Sequence, residues 1–417
     1  MKTELTQDQE NAKKLISEWY FNTENQVFVL SGYAGTGKTF LIDYVVRKEL
    51  KLKIGKEAMF VSPTGKAAAN LLKNGTLAGT VHSLIYLRDP NDFDVDENGE
   101  VVHRDELHFI KREKIDENIR LIIIDETSMI NEEVLRDLLS FGVKCLFCGD
   151  SAQLPPVSGT CPLLQNPHYT MTEIVRQAAD NPIVQVATLA RQGKYIPYGS
   201  YGDRVCVISK NAFVGLERKR LLLEADQILC GTNRTRTALN NEMRAYKNIP
   251  QDAYLPMVGE KLICTLNDWE KPLDKEERFH LVNGIIGYAE EVRESIDDLA
   301  VMEFRADFMQ ESITVPFDTG IFEKGFYRHG YGNRAVTLKN GMVVSEYNAE
   351  MLRRFKSIAD EPICRFEFAY AVTCHKAQGS EFNFVIVFDE SRVFGEEQQR
   401  WLYTAITRAK EKLLIVR

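Results

Sequence analysis

The chain has 417 residues, the length of two to four domains of ~100–200 residues each. Hydrophobic residues make up 44% and charged residues 27%, as in an ordinary folded protein, and no run approaches the ~18 apolar residues of a membrane span. The formal net charge of −8 argues against a nucleic-acid partner for the surface as a whole, but a groove needs only a local basic lining.

Cysteine usage and the first residues bear on the compartment. Eight cysteines without a repeated spacing predict a reduced protein in the cytoplasm. Residues 1–7 have no apolar core and are not typical of a signal peptide. Cys145 and Cys148 form a C-x-x-C pair, but they lie in an apolar run and have no second ligand pair. We therefore expect core cysteines.

The chain opens with a predicted helix, a strand and a glycine-rich loop. Thr6 is a suitable N-cap for a helix from about Asp8 to Trp19. Val27–Leu30 predicts a buried strand, and the apolar positions after residue 39 fit one face of a helix. Between them, residues 32–39 have the sequence GYAGTGKT, which matches G-x-x-x-x-G-K-[ST] in full. This context is the one that the phosphate-binding loop (P-loop) of NTPases requires.

The loop predicts a site for ATP. Its glycines let backbone N–H groups turn toward phosphate oxygens at the start of a helix. Lys38 is expected to reach the β- and γ-phosphates, and Thr39 to bind Mg²⁺. The predicted ATP contacts of the loop are Gly32, Ala34, Gly35, Thr36, Gly37, Lys38 and Thr39.

Strands and helices alternate through the first half of the chain. Three further near-continuous apolar runs predict strands of a parallel sheet covered on both faces: Ala58–Ser62, Leu121–Ile124 and Lys144–Cys148. The alternation indicates a doubly wound α/β core. It breaks between residues 86 and 118, where Asn98 and Gly99 between β-prone runs predict a hairpin.

Polar residues follow two of these strands. Asp125 is expected to hold Mg²⁺ directly or through water, and Glu126 to orient and deprotonate the attacking water. Another strand runs into residues 149–153, where Gln153 could hydrogen-bond the γ-phosphate or its attacking water. In a chain with a full P-loop, these residues predict ATP hydrolysis.

A second alternating region runs from about residue 181 to 255, with candidate strands Val205–Ile208 and Gln227–Gly231. From residue 256 to 361, short β-prone pieces separated by turn residues predict a small all-β insertion. The α/β pattern resumes at Phe366 and ends in the strand Leu413–Val416. The sequence thus predicts two α/β cores, each with an insertion.

The ordered motifs resemble superfamily 1 DNA helicases, most of all the RecD-type and phage Dda-type branch, superfamily 1B. Besides the P-loop and the Asp125-Glu126 pair, the similar segments are SPTGKAA at 62–68, TVHS at 80–83, GDSAQLPPV at 149–157, MTEIVRQ at 171–177, TCHKAQGSEF at 373–382 and YTAITRA at 403–409. The resemblance covers essentially the whole chain. It implies two RecA-like P-loop NTPase cores with parallel sheets.

The resemblance also implies roles around the nucleotide. Gln9 would contact adenine and Glu381 the ribose. Arg176 and Arg408 would approach the phosphates from either side, and arginine fingers contribute ~10³–10⁵ in rate in well-studied NTPases. Arg408 would belong to the second core, so that hydrolysis depends on closure of the cleft. Taken alone, each arginine could instead form a surface ion pair.

DNA contacts are expected to be mainly to the backbone, because hydroxyls, amides and lysines hold phosphates without reading sequence. Thr80 could instead cap a helix, and His82 could be a core histidine. The predicted contacts are Pro63, Thr64, Lys66, Thr80, His82, Thr373 and His375.

Both insertions resemble parts of the family. The hairpin resembles the pin that separates strands, and Phe93 or Phe109 could be its wedge. The late insertion resembles a small β-barrel of the SH3 type. The predicted domains are a first core at 1–86 and 119–177, the pin at 87–118, a second core at 178–255 and 366–417, and the SH3-like insertion at 256–365.

The leading hypothesis is an ATP-dependent DNA helicase that moves along single-stranded DNA, with 5′→3′ polarity implied by the resemblance. Its partners would be single-stranded DNA, junctions of single- and double-stranded DNA, and replication or recombination proteins such as a single-strand-binding protein, with no membrane. We expect a monomer. The alternatives are a DNA-stimulated translocase without strand separation, a DNA-binding protein that uses ATP as a switch, and a P-loop kinase.

Overall fold

The computed structural model describes residues 5–73, 76–88, 93–95, 101–103, 109–155, 162–275, 279–296, 299–324 and 363–417. Residue contacts divide the chain into two compact units. The first consists of Met1–Ile85, Glu113–Met243 and Ala371–Arg417, and the second of Tyr86–Arg112 and Arg244–Tyr370. The first unit contains most of both predicted cores, and the second contains most of both predicted insertions.

The helices of the described residues are short to medium in length. They are α1 (Gln7–Phe21), α2 (Lys38–Tyr44, extended by a π-helical turn at Val45–Glu49), α3 (Gly65–Lys73), α4 (Val81–Ile85), α5 (Glu132–Leu139), α6 (Arg176–Ala179), α7 (Pro182–Arg191), α8 (Gly215–Glu224), α9 (Asn233–Tyr246), α10 (Gly320–Lys324) and α11 (Gln398–Ile406). Short 3₁₀ turns lie at Thr127–Met129, Pro162–Gln165, Lys210–Ala212, His375–Ala377 and Ser391–Glu397.

The strands of the first half of the chain are β1 (Val27–Gly32), β2 (Ala58–Ser62), β3 (Ala78–Thr80), β4 (Tyr86–Arg88), β5 (Phe93–Val95), β6 (Val101–His103), β7 (Phe109–Lys111), β8 (Leu121–Ile124), β9 (Lys144–Gly149) and β10 (Tyr169–Met171). Those of the second half are β11 (Gly199–Tyr201), β12 (Val205–Ile208), β13 (Gln227–Cys230), β14 (Lys261–Cys264), β15 (Asp268–Pro272), β16 (His280–Leu281), β17 (Ile286–Ile296), β18 (Leu299–Ala306), β19 (Ile313–Asp318), β20 (Phe366–Phe368), β21 (Ala371–Thr373), β22 (Phe382–Phe388) and β23 (Ala409–Val416).

The first sheet has the order β10-β1-β9-β8-β2-β3, and all of its pairs are parallel. Its central strands are buried along their whole length, because helices cover both faces of a parallel sheet. This burial explains their near-continuous apolar sequences. The α/β prediction for the first half is confirmed.

The second sheet of the same unit has the order β11-β12-β23-β22-β13-β21. Its pairs are parallel except for the short edge strand β11, which runs antiparallel to β12. The first unit therefore holds two parallel-sheet α/β cores. This agrees with the predicted fold class at the level of sheet architecture.

The second unit contains a five-stranded sheet of order β19-β18-β17-β14-β20 with antiparallel pairs. We expected the α/β pattern to resume at Phe366, but Phe366–Phe368 is the edge strand β20 of this sheet. The second core resumes at Ala371 instead. An apolar three-residue run fits either sheet, and the pairing of β20 with β14 decides between them. The likeness to an SH3-type barrel stays a prediction.

The predicted hairpin lies in the second unit. β5 and β6 pair antiparallel, with Val95 opposite Val101, and β4 pairs antiparallel with β7. Asn98 and Gly99, the expected turn, lie outside the described residues, as does the side chain of Phe93. Phe109 is partly buried, and its ring centroid lies 6.4 Å from that of Tyr86. Its placement fits packing within the insertion.

The opening helix begins as the sequence predicts. The hydroxyl of Thr6 accepts from the backbone N–H of Gln9, and the side chain of Gln9 accepts from the N–H of Thr6. This reciprocal pair is a capping box, which satisfies two otherwise unpaired donors at the start of α1.

The described cysteines carry free thiols, and all of them except Cys206 are buried. Cys145 and Cys148 lie in β9, so the prediction of core cysteines is confirmed. Among the described residues, no helix combines the length and apolar character needed to cross a bilayer.

Candidate nucleotide site and nucleic-acid interface

The predicted site residues of the first core lie at one edge of its sheet. Because all six strands are parallel, their carboxyl ends meet at the same edge. The P-loop follows β1, Asp150 follows β9, and Asp125 follows β8. Pro63 and Thr80 lie at the ends of β2 and β3. With ~4.8 Å between strands, the predicted DNA contacts begin roughly 14 Å from the P-loop strand.

The P-loop has the tight backbone that phosphate binding requires. Gly37 has φ +76° and leads directly into α2. A Cβ at Gly37 would lie 2.6 Å from Nε2 of Gln9, and a Cβ at Gly32 would lie 2.9 Å from Oγ1 of Thr36. A larger side chain at either position would therefore force Gln9 or Thr36 to shift, and at Gly37 it would also strain the backbone. The ammonium of Lys38 donates to the carbonyl oxygens of Gly32 and Tyr33, so it lies within the loop.

Gln9, the predicted adenine contact, is hydrogen-bonded to the P-loop. Its Oε1 accepts from the N–H of Thr6, and its Nε2 donates to the carbonyl oxygen of Thr36 over 3.1 Å. The side chain is buried. The structure thus gives both ends of this amide protein partners, and contact with adenine stays a prediction.

Asp125 and Glu126 lie at the end of β8. Burial raises the pKa of Asp125, while the N–H of Glu126 and the charge of Lys38 oppose that rise. Burial also raises the pKa of Glu126 to about 7, against the opposing charge of Arg408. Glu126 has φ 54°, in the left-handed region that non-glycine residues seldom adopt. A strained carboxylate with a pKa near neutrality is the arrangement expected of a general base.

Gln153 and Asp150 follow β9 at the same edge. Oε1 of Gln153 is buried and finds no hydrogen-bond partner in the described part of the chain. A buried acceptor without a partner costs free energy, so it is suited to bind a proton of water or ligand. Asp150 is also buried, and its negative charge contributes to the raised pKa of Glu126.

Arg408 is a buried arginine of the second core. Its hydrogen bonds among the described residues go to neutral oxygens: the carbonyls of Thr404 and Ser380 and the hydroxyl of Thr407. Its charge acts on Glu126 across the two cores. A buried guanidinium that has no carboxylate hydrogen-bonded to it keeps its charge available for phosphate, which agrees better with the finger role than with a surface ion pair.

Arg176 begins α6, beside the P-loop. The N–H of Val175 donates to the carbonyl oxygen of Gly35 over 3.0 Å. A Cβ at Gly35 would lie 3.2 Å from Cβ of Ala178. The backbone of Arg176 is therefore held against the loop, while its side chain lies outside the described part of the structure.

Glu381 precedes β22 and pairs with Lys410 across 2.9 Å. Its charge contributes to the raised pKa of Asp125, so it lies near the nucleotide site. Glu381 and Arg408 precede β22 and β23, at the amino edge of the second sheet. In contrast, Thr373 is the last residue of β21 and His375 follows it, at the carboxyl edge. The second sheet thus presents the two groups of predicted site residues at opposite ends of its strands.

Two of the predicted DNA contacts act as helix caps. The hydroxyl of Thr64 accepts from the N–H of Ala67 at the start of α3. Thr80 and Ser83 exchange backbone and hydroxyl hydrogen bonds around α4, as the alternative role for Thr80 proposes. The hydroxyl of Thr64 still has a proton to donate to phosphate, whereas the hydroxyl of Thr80 already donates its proton to the hydroxyl of Ser83. Thr64 therefore remains a candidate contact through its hydroxyl, and contact with Thr80 stays a prediction.

The remaining predicted DNA contacts are less exposed than a surface role would suggest. Lys66 is buried, with its ammonium 5.7 Å from the ring centroid of Phe382 in the second core. Burial lowers the pKa of His82 and of His375. Thr373 is half-buried at the end of β21. Because burial favours their neutral forms, the two histidines would contact DNA as uncharged donors or acceptors.

Sequence reasoning missed a set of contacts that join the two cores. The hydroxyl of Tyr403 donates to the carboxylate of Asp150 and accepts from the N–H of Ala34. The guanidinium of Arg191 stacks 3.6 Å from the ring centroid of Tyr33 in the P-loop. Tyr403 belongs to the segment YTAITRA at 403–409, which the sequence analysis used for Arg408. Its place in that segment is the one feature of the sequence that could have indicated its role.

The residues fit a nucleotide with Mg²⁺ better than a metal site built from protein alone. The described residues contain no cluster of three or more metal-ligating side chains. Mg²⁺ is typically held by one or two carboxylates together with substrate phosphates. Asp125 beside the P-loop, with Thr39 exposed at the start of α2, matches that pattern.

Comparison with known proteins supports this arrangement. Residues 4–208 match the family model of an AAA domain, and residues 368–416 match that of a UvrD-like helicase C-terminal domain. The chain is 26% identical over 412 residues to the ATP-dependent RecD2 DNA helicase of Deinococcus radiodurans, covering 93% of this chain but 46% of that protein. It is 22% identical to the RecBCD subunit RecD of Buchnera aphidicola subsp. Schizaphis graminum, covering 94% and 70%.

Two further similarities concern Pif1. The chain is 34% identical over 168 residues to the ATP-dependent DNA helicase PIF1 of Saccharomyces cerevisiae, covering 37% of this chain and 18% of that protein. A solved structure of Pif1 from Candida albicans has a TM-score of 0.49 at 17% identity, covering 99% of this chain and 94% of that one. The chain spans less than half the length of the RecD2 relative. The sequence matches lie in the first and the last part of the chain, in the order of the sequence motifs, so the chain is similar in sequence to RecD-type and Pif1 helicases.

Proposed function

We propose that the chain is an ATP-dependent DNA helicase that moves along single-stranded DNA in the 5′→3′ direction. The observation that carries the proposal is the charge of Arg408 in the second core acting on Glu126 in the first. Hydrolysis that needs groups from both cores is coupled to their relative motion. Such coupling is what movement along a strand requires.

The chemistry follows from the residues at the sheet edge. Glu126 would take the proton of the attacking water, with Gln153 orienting that water. Lys38 and Arg408 would stabilise the charge that develops on the transferred phosphoryl group. Mg²⁺, held by Thr39 and Asp125, would supply charge neutralisation at the phosphates. Glu381 and Arg176 complete the proposed nucleotide contacts.

The DNA contacts are proposed along the neighbouring strand ends. Pro63, Thr64 and Thr80 of the first core and Thr373 of the second would contact the backbone. Backbone contacts carry no sequence information, which suits a protein that must move. The β5–β6 hairpin is proposed as the strand-separating pin, and the five-stranded sheet as the SH3-like part.

The proposal extends to partners and organisation. Single-stranded DNA and its junctions with duplex are the proposed substrates, a single-strand-binding protein is a candidate partner, and the chain is proposed to act as a monomer inside the cell. The predicted division into two cores, pin and β insertion is retained in this proposal, with the second core resuming at Ala371.

The test is ATP hydrolysis with and without single-stranded DNA or RNA, followed by unwinding of duplexes with 5′ or 3′ tails. We expect stimulation by DNA and unwinding from 5′ tails. Lys38→Ala should abolish turnover, because it removes the cation nearest the phosphates. No stimulation by any nucleic acid would contradict the proposal, and unwinding only from 3′ tails would contradict the polarity.

The alternatives give different results in the same assays. A P-loop kinase would transfer phosphate to a small acceptor instead of releasing it. An ATP switch would retain biological activity in a variant that binds ATP without hydrolysing it. A translocase without strand separation would show DNA-stimulated hydrolysis and no unwinding from either tail.

A further inference from the structure

We propose that Tyr403 is a positioning residue for ATP turnover, whose hydroxyl joins the P-loop to the segment that carries Arg408. The inference rests on the proposed function, since it concerns hydrolysis between the two cores. Tyr403 lies on α11 and is 1% exposed. Its hydroxyl oxygen lies 2.6 Å from a carboxylate oxygen of Asp150 and 2.7 Å from the backbone nitrogen of Ala34.

The chemistry of the two partners fixes the direction of both hydrogen bonds. The Asp150 carboxylate can only accept, and the Ala34 N–H can only donate, so the phenol donates to the first and accepts from the second. Burial and the charge of Asp150 raise the pKa of Tyr403, which keeps the phenol protonated. A hydroxyl that donates to a carboxylate is a better acceptor for the amide, so the two bonds strengthen each other.

Thr404, the next residue of α11, makes a second contact with the segment that follows β9, from Asp150 to Leu154. The hydroxyl of Thr404 accepts from the N–H of Leu154 over 2.9 Å, and the carbonyl of Leu154 accepts from Nε2 of Gln378 over 2.8 Å. The segment from Asp150 to Leu154 includes Gln153. Both ends of the segment that carries Gln153, the proposed sensor of the attacking water, are therefore hydrogen-bonded to α11.

Arg408 is fixed to the end of this helix. Its Nε donates to the carbonyl of Thr404 over 3.2 Å, and its Nη2 donates to the hydroxyl of Thr407 over 3.2 Å. The guanidinium therefore follows the last turn of α11. A change at Ala34 reaches Arg408 through Tyr403 and Thr404 over a short series of buried, hydrogen-bonded groups.

The Ala34 amide makes the hydrogen bonding of Tyr403 depend on whether a nucleotide is bound. It belongs to the P-loop and has one proton, so a phosphate oxygen at this amide would replace the phenol as its acceptor. The bond to Asp150 would remain. Tyr403 would thus lose its hydrogen bond to Ala34 and keep the one to Asp150. The position of α11 would then depend on Asp150.

The test is Tyr403→Phe in the full chain, which removes the hydroxyl and keeps the ring. We expect kcat for DNA-stimulated hydrolysis to fall about tenfold, the effect of losing one charge-assisted hydrogen bond in the transition state. KM for ATP should not rise and the affinity for ADP should not fall, because the phenol competes with a phosphate for the Ala34 amide and the variant removes that competition. Tyr201→Phe is the matched control, since among the described residues its hydroxyl bonds only the surface carbonyl of Pro197.

The double variant with Asp150→Asn tests the link directly. If the two groups act as one unit, the fall in kcat for the pair will be smaller than the product of the single falls. If Tyr403→Phe does not fold, Asp150→Asn carries the test, with the same expected fall in kcat and no rise in KM, measured above about pH 8, where Glu126 is ionised whether or not residue 150 is charged.

The outcomes separate this inference from the proposed function. A raised KM with unchanged kcat, or equal effects of the two tyrosine variants, would overturn the role of Tyr403. A wild-type chain that does not hydrolyse ATP would contradict the proposed function instead.

Discussion

Glu126 shows how one residue combines strain, burial and charge. Its backbone is in the left-handed region just after β8, and burial there disfavours the ionised form. Arg408 and Lys38 favour ionisation, while Asp125 and Asp150 oppose it. The balance leaves a pKa of about 7, so the group can accept a proton under ordinary conditions.

We expect kcat/KM for ATP hydrolysis to rise with pH and level off above about pH 7, because this parameter reports the free enzyme and the base must be ionised. Neither His82 nor His375 accounts for such a limb, since burial lowers the pKa of both. The profile of His375→Asn should therefore keep the same midpoint. A midpoint that moves with this variant would assign the limb to the histidine.

The same carboxyl should reduce stability when ionised. Its pKa is raised in the folded state, so its effect on folding is absent below about pH 4.3, the value in unfolded chains, grows as the pH rises toward 7, and is fully present above pH 7. Glu126→Gln should abolish turnover and stabilise the fold at pH 8 by on the order of 1–3 kcal/mol, with little change at pH 4. Thermal unfolding at the two pH values measures this, and destabilisation at pH 8 would contradict the assignment.

At the scale of elements, the C-terminal end of α9 and the start of the five-stranded sheet share a buried ion pair. The guanidinium of Arg244 donates to both carboxylate oxygens of Glu260 over 2.9 and 3.1 Å, and also to the carbonyl of Ala253. Glu260 accepts in addition from the N–H of Met257. Since Glu260 is almost fully buried, these partners replace the water that it loses.

Glu260→Ala should lower the free energy of unfolding of the second unit by about 3–5 kcal/mol, because the guanidinium would stay buried without its partner. Urea denaturation of the full chain measures the change. Glu217→Ala is the control, since Glu217 pairs with Arg220 at an exposed position of α8, and we expect no measurable shift of its midpoint. Equal shifts for both variants would show that the buried pair does not stabilise the unit.

Sequence patterns reveal local order but not partners that are distant in the chain. The P-loop and the strands β2 and β8 follow from glycine spacing and apolar runs, because each pattern is local. Tyr403 and Asp150 are 253 residues apart, and no periodicity relates them. The assignment of β20 also depends on pairing with a distant strand, which a three-residue run cannot specify.

At the scale of the whole molecule, the order of strands arranges the proposed activities. The nucleotide residues follow β1, β9 and β8, and the proposed DNA contacts follow β2 and β3 at the same edge. A movement of this edge of the first sheet on hydrolysis would therefore change the positions of both the nucleotide residues and the proposed DNA contacts. The insertion that contains the β5–β6 hairpin falls in the other unit, so strand separation can be tested apart from hydrolysis.

Phe93→Ala should reduce unwinding of a 5′-tailed duplex about tenfold while DNA-stimulated hydrolysis stays within about twofold. A ring that stacks on a base contributes ~1–3 kcal/mol, comparable to the ~1.4 kcal/mol of one duplex stacking step. Phe109→Ala is the comparison, because Phe109 packs near Tyr86 and should lower stability instead. Equal losses of unwinding and hydrolysis in Phe93→Ala would reject a wedge role.

The buried thiols can be used to measure transient local unfolding of the two cores. Burial raises the pKa of Cys145 and of Cys374 to about 12, so neither forms a reactive thiolate while its core stays closed. Alkylation at these positions must therefore wait for local unfolding. Because Cys145 lies in the first core and Cys374 in the second, the labelling rate of each, followed by mass spectrometry, times the opening of one core independently of the other.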